Sequence, residues 1–266
     1  MIYIYALSLL FVFSDCIRRN AGAKRTGTGL LVVVILLQLC HLVLRTWTEG
    51  HLPIFTAYDF LFLFSFSLVL TALVMGRFRN SEFAVLLLGI VGFAVAVLNR
   101  FWFQAGDTPL GSGWYMVHGL LVLHITLANL SFAALTVAAV FAVMYLFLHR
   151  RLKRKKWNDT VRRLPSLELM DKYSYHAMLI GTPLLAVSVI VAVLSIIAEN
   201  KWALLLDLKV WATVAALGVY IFYLVFKRYR NRSGLNMAKW TLIAYAFIIL
   251  NFVVNTWSAF HHWAWG

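Results

Sequence analysis

The sequence predicts an all-α polytopic membrane protein with about eight transmembrane helices and with both termini outside the cytoplasm. Of its 266 residues, 62% are hydrophobic and 13% are charged, and the mean hydropathy is +0.82. A soluble protein of this size could not cover its surface with so few charges, whereas a bilayer core accepts an apolar surface. In hydrocarbon every backbone polar group must be paired within its own segment, which predicts helices rather than strands.

Eight apolar runs follow one another along the chain and form one predicted transmembrane domain, residues 1–266. They cover residues 2–17, 29–47, 57–76, 82–99, 115–148, 174–198, 206–226 and 237–260. Most are long enough to cross a hydrocarbon core of about 30 Å at 1.5 Å per residue. The first run is short, and the fifth is long enough to extend into the cytoplasm.

The first run predicts an uncleaved anchor with its N-terminus outside the cytoplasm. No basic residue precedes it, and the cluster Arg18, Arg19, Lys24 and Arg25 follows it, which is the reverse of a cleavable signal peptide. With this orientation, 20 of the 24 basic residues lie in cytoplasmic segments. The positive-inside rule therefore supports the topology and accounts for the net charge of +14 without a nucleic-acid partner.

The fifth run carries alanines at 134, 138 and 142. Small residues spaced by four allow a neighbouring helix to approach closely. The run is followed by the largest cytoplasmic segment, residues 149–172, which begins with a dense basic cluster. This segment is interpreted either as a contact with anionic lipid headgroups or as a docking surface for a cytosolic partner.

Several classes of chemistry lack their motifs here. The sequence contains no Gly-rich phosphate loop, no Gly-x-Ser-x-Gly and no His-Glu-x-x-His, and its carboxylates avoid the centres of the predicted helices. No catalytic residue is predicted. Cys16 and Cys40 lie near opposite membrane faces in the prediction, so no disulfide between them is expected.

Histidines and tryptophans concentrate on the predicted outer side. Six of the eight histidines and eight of the ten tryptophans lie there, whereas an ordinary aromatic belt occupies both interfaces. Haem uses imidazole nitrogen as an axial ligand and packs against apolar and aromatic side chains. From residue type and position alone, His124 and His261 are candidate iron ligands or structural histidines, and His118 faces about 120° away from His124.

Segments across most of the chain resemble the cytochrome c assembly proteins of the CcsA/ResC type. The most specific stretch begins with His124-Ile-Thr-Leu-Ala-Asn-Leu-Ser-Phe-Ala-Ala and continues through Leu164-Pro-Ser-Leu-Glu168 to Gly181-Thr-Pro-Leu-Leu185. Pro53 with Tyr58-Asp59, and the C-terminal Phe260-His261-His262-Trp263, resemble further segments of that family.

The outer loop departs from the haem-handling members of the family. It keeps Trp202, Asp207, Lys209 and Trp211 but has Leu208 where those members have proline. The helix after this loop ends with Lys227 and Arg228, and it lacks the histidine that the haem-handling members have near Val225. This reduced loop is similar to that of the HemX branch of the family. The resemblance implies a non-catalytic protein of the bacterial cytoplasmic membrane. It also implies that the protein regulates haem biosynthesis by lowering the abundance of glutamyl-tRNA reductase.

The resemblance implies a non-covalent haem site. His124 and His261 would be the axial ligands, with His262 as the alternative to His261, and Trp202, Trp211, Trp257 and Asp207 would complete the site. Glutamyl-tRNA reductase would contact residues 149–172, and the lipid bilayer is the other expected partner. Two alternatives remain: haem transport or handover in c-type cytochrome biogenesis, and a membrane scaffold without a cofactor.

Overall fold

A computed structural model gives the architecture of the chain. The structure describes residues 1–50, 52–54, 56–78, 80–102, 115–155, 159–198, 200, 202–206, 208–230 and 234–254. The described helices are α1 Ile2–Ile17, α2 Ala21–Glu49, α3 Ala57–Met75, α4 Glu82–Trp102, α5 Tyr115–Lys153, α6 Asp159–Arg162, α7 Leu167–Ala198, α8 Leu208–Arg230 and α9 Leu235–Val254, with a 3-10 helix at Trp202–Leu206.

The predicted all-α membrane fold is confirmed. Among the described residues, seven helices are long and apolar enough to cross a membrane, and α1 is a shorter apolar helix. These helices expose large apolar side chains. On α2, for example, Leu36, Val43 and Leu44 are 57%, 56% and 59% exposed. Such side chains suit contact with lipid. The orientation of the termini stays a prediction.

Two helices begin well before their apolar runs. α2 starts at Ala21 rather than 29, because the Asn20 side chain accepts hydrogen bonds from the backbone N–H groups of Gly22 and Ala23. α7 starts at Leu167 rather than 174, where Ser166 Oγ accepts from the Leu169 N–H at 3.2 Å. Hydropathy marks the part of a helix that lies in hydrocarbon, whereas the cap decides where the helix begins.

The chain divides into two compact units, each described by itself. The first unit comprises Met1–Ala105 and Met144–Met170, and the second comprises Gly106–Val143 and Asp171–Gly266. The prediction of one transmembrane domain remains a prediction.

Helices α1–α4 of the first unit each pack against two of the others. α1 contacts α2 and α4, and α3 contacts the same two helices. Gly27 permits the close approach of α1 and α2, since a Cβ there would lie 2.9 Å from Val12 Cγ2 and 3.1 Å from the Val12 nitrogen. Ser8 Oγ donates to the Gly27 carbonyl at 2.8 Å, which fixes the same contact.

Charged pairs hold the ends of these helices. Lys24 Nζ lies 2.9 Å from Glu82 Oε1, which links the beginnings of α2 and α4. Arg163 Nη1 donates to the carbonyl oxygens of Asp15 and Cys16, at 2.8 and 3.1 Å. The Arg163 side chain therefore caps the C-terminal end of α1, whose last carbonyls have no partner within the helix.

The alanine stripe of α5 lies in close contact with α7 in the second unit. Ala138 is fully buried, and Ser174 Oγ donates to its carbonyl oxygen at 3.0 Å. A Cβ on Gly181 would lie 3.3 Å from Ala134 Cβ. Helices α5 and α9 are joined by a 2.9 Å hydrogen bond between Thr136 Oγ1 and the Tyr245 hydroxyl. The small residues of α5 thus allow the backbones of α5 and α7 to approach closely.

Candidate functional site

His124 is held against α7 by two contacts with Ser188. Its Nδ1 lies 2.8 Å from the Ser188 carbonyl oxygen and 2.9 Å from Ser188 Oγ. A carbonyl oxygen can only accept, so Nδ1 carries the proton and donates it. Ser188 Oγ in turn donates to the His124 carbonyl at 3.0 Å. This tautomer places the ring lone pair on Nε2, which is how histidine metal ligands are commonly oriented.

An apolar cavity of about 40 Å³ lies beside the imidazole of His124. It is lined by His124 together with Val189, Ala192, Val193, Ile196, Val210 and Thr213. Cofactor sites usually have volumes of about 300–1,000 Å³, so a porphyrin would extend well beyond this cavity. The described residues therefore fit an oriented axial ligand and an apolar edge, rather than a complete haem pocket.

Two of the predicted indoles are exposed in the second unit. Trp202, in the 3-10 helix, is 56% exposed, and Trp211, in α8, is 60% exposed. Trp211 stands in sequence between Val210 and Thr213, both of which line the cavity of His124. The side chains of Trp202 and Trp211 leave surface available to a flat ligand.

The remaining predicted site residues fall outside the part of the chain that the structure describes. These residues are His261, His262, Trp257 and Asp207. The side chain of His118 is also outside it. The pairing of His124 with His261 thus remains a prediction.

Arg45 is engaged by two carboxylates of the first unit. Its guanidinium forms ion pairs with Glu49 at 2.6 Å and with Asp59 at 2.5 Å. Asp59 is 3% exposed and also completes the capping box of α3 with Thr56. Since a buried carboxylate needs its cation, Arg45 serves the packing of α2 against α3.

Among the described residues there is no group of three His, Cys, Asp or Glu side chains that could hold a metal ion. Haem iron takes one or two axial ligands from the protein, so a single oriented histidine remains compatible with it. Cys16 is buried, Cys40 is exposed, and both are free, as the sequence predicts.

Comparison with known proteins assigns the chain to a family. The family model of the cytochrome C assembly protein matches residues 54–262. This chain belongs to the cytochrome c assembly protein family. It is 34% identical to protein HemX of Brevibacillus brevis, covering 98% of this chain and 96% of that protein. It is 31% identical to protein HemX of Bacillus subtilis, covering 98% and 94% respectively.

A more distant relative carries another name. The chain is 27% identical to the cytochrome c biogenesis protein CcsA of Parasynechococcus marenigrum, covering 80% of this chain and 78% of that protein. The similarity to HemX proteins is thus higher and extends over nearly the full length. The predicted membership of the HemX branch is confirmed.

In this family member, part of the predicted cytoplasmic segment is folded onto the first unit. Val161 and Leu164 are 6% and 7% exposed, and Arg163 caps α1. Arg150 and Arg154, at the end of α5, are exposed. A partner of this segment would therefore meet a partly fixed surface.

Ser188 is the functional candidate that sequence reasoning missed. It lies 64 positions from His124, in a helix that reads as plain apolar sequence. No local sequence spacing predicts this contact, because it depends on how α5 and α7 pack against each other. A serine within an apolar run was the available signal, since a buried hydroxyl requires a hydrogen-bond partner.

Proposed function

We propose that this protein binds haem non-covalently on the outer side of the bacterial cytoplasmic membrane and regulates haem biosynthesis without catalysis. It does so by lowering the abundance of glutamyl-tRNA reductase. His124 and His261 are the proposed axial ligands, and Trp202, Trp211, Trp257 and Asp207 are the proposed surroundings of the ring. Haem would supply an iron centre whose axial positions accept imidazole nitrogen.

One observation carries the haem proposal: the contact between His124 Nδ1 and the Ser188 carbonyl oxygen at 2.8 Å. The backbone of α7 fixes the ring and the tautomer before any ligand arrives. Preorganisation of this kind increases the affinity of a histidine for a metal. The apolar side chains around the imidazole exclude water, which suits a porphyrin edge.

Family membership and the reduced outer loop support the regulatory part of the proposal. The resemblance to the HemX branch connects the chain to glutamyl-tRNA reductase, and residues 149–172 are the proposed contact surface. Arg150 and Arg154 are exposed there, whereas Arg163 is committed to α1. The exposed arginines, rather than Arg163, are thus proposed to meet an acidic surface of the enzyme.

Haem titration of the purified protein tests the site. The wild-type protein is expected to develop a Soret band, and His124→Ala and His261→Ala are each expected to shift or weaken it. His176→Ala is a matched control, because His176 is exposed and lies near the N-terminal end of α7. A Soret band that is unchanged by both ligand substitutions would remove these two histidines, and protein that stays colourless would favour the cofactor-free scaffold.

Haem handover is the second candidate, and the similarity to CcsA favours it. Deletion of the gene separates the two functions. Raised glutamyl-tRNA reductase with normal covalent c-type haem would support regulation. Loss of covalent c-type haem with unchanged reductase would support handover instead.

A further inference from the structure

The first unit contains a second cavity, of about 220 Å³, that the proposed haem site does not use. It lies at the end of the unit where α1 and α3 begin and where α2 and α4 end, which is the predicted outer side. Its lining includes Gln38, Tyr58, Phe62, Ser65, Asn99 and Arg100. We call this space the polar cavity.

The orientation of the Gln38 amide is fixed by its neighbours. Ser65 Oγ donates its proton to the carbonyl oxygen of Gly92 at 3.0 Å, so the hydroxyl can only accept from Gln38. Gln38 Nε2 is therefore the atom that lies 3.3 Å from Ser65 Oγ. Gln38 is fully buried. Its Oε1 atom nevertheless has no hydrogen-bond partner among the described residues.

Asn99 repeats this arrangement on α4. Its Nδ2 donates to the backbone carbonyl of Tyr58 at 3.0 Å, and a carbonyl cannot donate in return. Asn99 is 4% exposed, and its Oδ1 likewise lacks a hydrogen-bond partner within the described residues. Two residues that line one cavity thus each retain an amide oxygen that can only accept.

Buried acceptors without donors are rare, since leaving them unpaired destabilises the fold. A ligand of this cavity must therefore bring hydrogen-bond donors, and two amide oxygens call for at least two of them. The rings of Tyr58 and Phe62 stack with centroids 6.5 Å apart, and the Arg45 guanidinium lies 5.5 Å from the centroid of the Tyr58 ring. The aromatic part of the lining thus tolerates a cation, and an ammonium group supplies several N–H donors at once.

Arg100 adds a requirement of opposite sign. It lines the cavity and is exposed to the surroundings, and among the described residues it forms no ion pair. Its planar guanidinium is suited to a phosphate or carboxylate. A ligand that pairs with both the two amide oxygens and Arg100 therefore carries N–H donors next to an anion.

We propose that the polar cavity binds a primary ammonium group adjacent to an anionic group, as in the phosphoethanolamine headgroup of a phospholipid. The ammonium donates to Gln38 Oε1 and Asn99 Oδ1, and the phosphate meets Arg100. A soluble phosphoethanolamine offers the same chemistry without acyl chains. The proposal concerns the first unit alone and does not depend on haem binding.

Phosphatidylcholine is a matched probe, because it has the same phosphate and the same net charge but no N–H on its nitrogen. A site built from hydrogen-bond acceptors rejects an analogue that lacks the donors. The protein is reconstituted into nanodiscs of equal parts phosphatidylethanolamine and phosphatidylcholine, and the retained lipids are then counted by native mass spectrometry. Phosphatidylethanolamine is expected to be retained about tenfold in excess.

Three variants examine the contacts. Arg100→Gln, at an exposed position, is expected to lower retention of phosphatidylethanolamine several-fold, and Gln38→Met is expected to abolish the preference over phosphatidylcholine. Ser8→Ala is the control, since it removes a buried hydrogen bond to Gly27 in the same unit and leaves the cavity lining intact. Its lipid preference is expected to match that of the wild type.

Soluble O-phosphoethanolamine, added to the detergent-purified protein, separates the two sources. Binding that requires Gln38 and Arg100, without selective lipid retention, would assign the cavity to a soluble zwitterion. Equal retention of both lipids together with no binding of O-phosphoethanolamine would overturn the proposal and leave water as the donor. A preference for phosphatidylcholine would also overturn it.

Discussion

The imidazole of His124 illustrates how neighbouring groups fix the protonation of a side chain. In the sequence it is one histidine among several, and its chemistry depends on which nitrogen carries the proton. The Ser188 carbonyl oxygen, 2.8 Å from Nδ1, settles the tautomer, because it can only accept. The choice of Nε2 as the proposed ligand atom follows from this contact.

Ser188→Ala is expected to weaken haem binding about tenfold, because it removes the hydroxyl that joins the ring and the backbone of His124. The Ser188 carbonyl remains, so the loss should be smaller than in His124→Ala. The measurement is the Kd from a haem titration. Ser195→Ala serves as the control, since Ser195 Oγ donates to the Val191 carbonyl of its own helix; an equal loss in both variants would contradict a positioning role for Ser188.

Gly27→Ala is expected to destabilise the protein by about 1–3 kcal/mol through overpacking. The added Cβ would meet the Val12 backbone at 3.1 Å, and a backbone atom cannot move aside as a flexible side chain does. Thermal unfolding in detergent, followed by tryptophan fluorescence, measures the change. Gly29→Ala is the matched control on the same helix, because a Cβ there has nothing within 4 Å and alanine favours a helix.

At the scale of the elements, the described residues 159–166 between α5 and α7 are held to the end of α1 by Arg163. Arg163 caps α1 through the carbonyls of Asp15 and Cys16. Asp15 is itself 3% exposed, and its carboxylate lies 3.8 Å from Arg163 Nη2. One arginine therefore compensates a helix end and a buried carboxylate.

Arg163→Gln is expected to loosen this segment. Amide hydrogen exchange across residues 161–170 should become several-fold faster, since hydrogen bonds to a charged group contribute about 1.5–3 kcal/mol. Arg162→Gln removes the same charge at an exposed neighbouring position and should leave the exchange rates unchanged. Faster exchange in both variants would instead indicate an effect of net charge.

The whole molecule has a charge asymmetry that predicts its orientation. The segments assigned to the cytoplasm hold 20 of the 24 basic residues, and such residues are retained inside during insertion. The cavity of the first unit opens at the opposite, predicted outer end. Orientation therefore decides which leaflet could supply a lipid headgroup to the polar cavity.

Cysteine labelling in intact cells tests this orientation. In a background with Cys16→Ser and Cys40→Ser, Lys201→Cys is expected to react with a membrane-impermeant maleimide, whereas Lys153→Cys is expected to react only after the membrane is opened. The positive-inside rule gives the physical reason. Labelling of Lys153→Cys alone in intact cells would reverse the topology.

The sequence by itself determined the membrane class, the all-α fold and the family. Hydropathy is a local sum over neighbouring residues, so the apolar runs could be located without knowing what packs against them. Helix caps such as Asn20 and Ser166 are local features as well. They lie in polar segments, however, so hydropathy alone does not predict where these helices begin.

Only the tertiary structure decided which polar groups meet. Ser188 and His124 lie 64 residues apart, and Asn99 and Tyr58 lie 41 apart. Such pairs depend on how helices pack, and packing in a membrane is driven by close contact and hydrogen bonds rather than by a periodic hydrophobic pattern. The oriented imidazole and the two acceptor oxygens of the polar cavity are consequences of that packing.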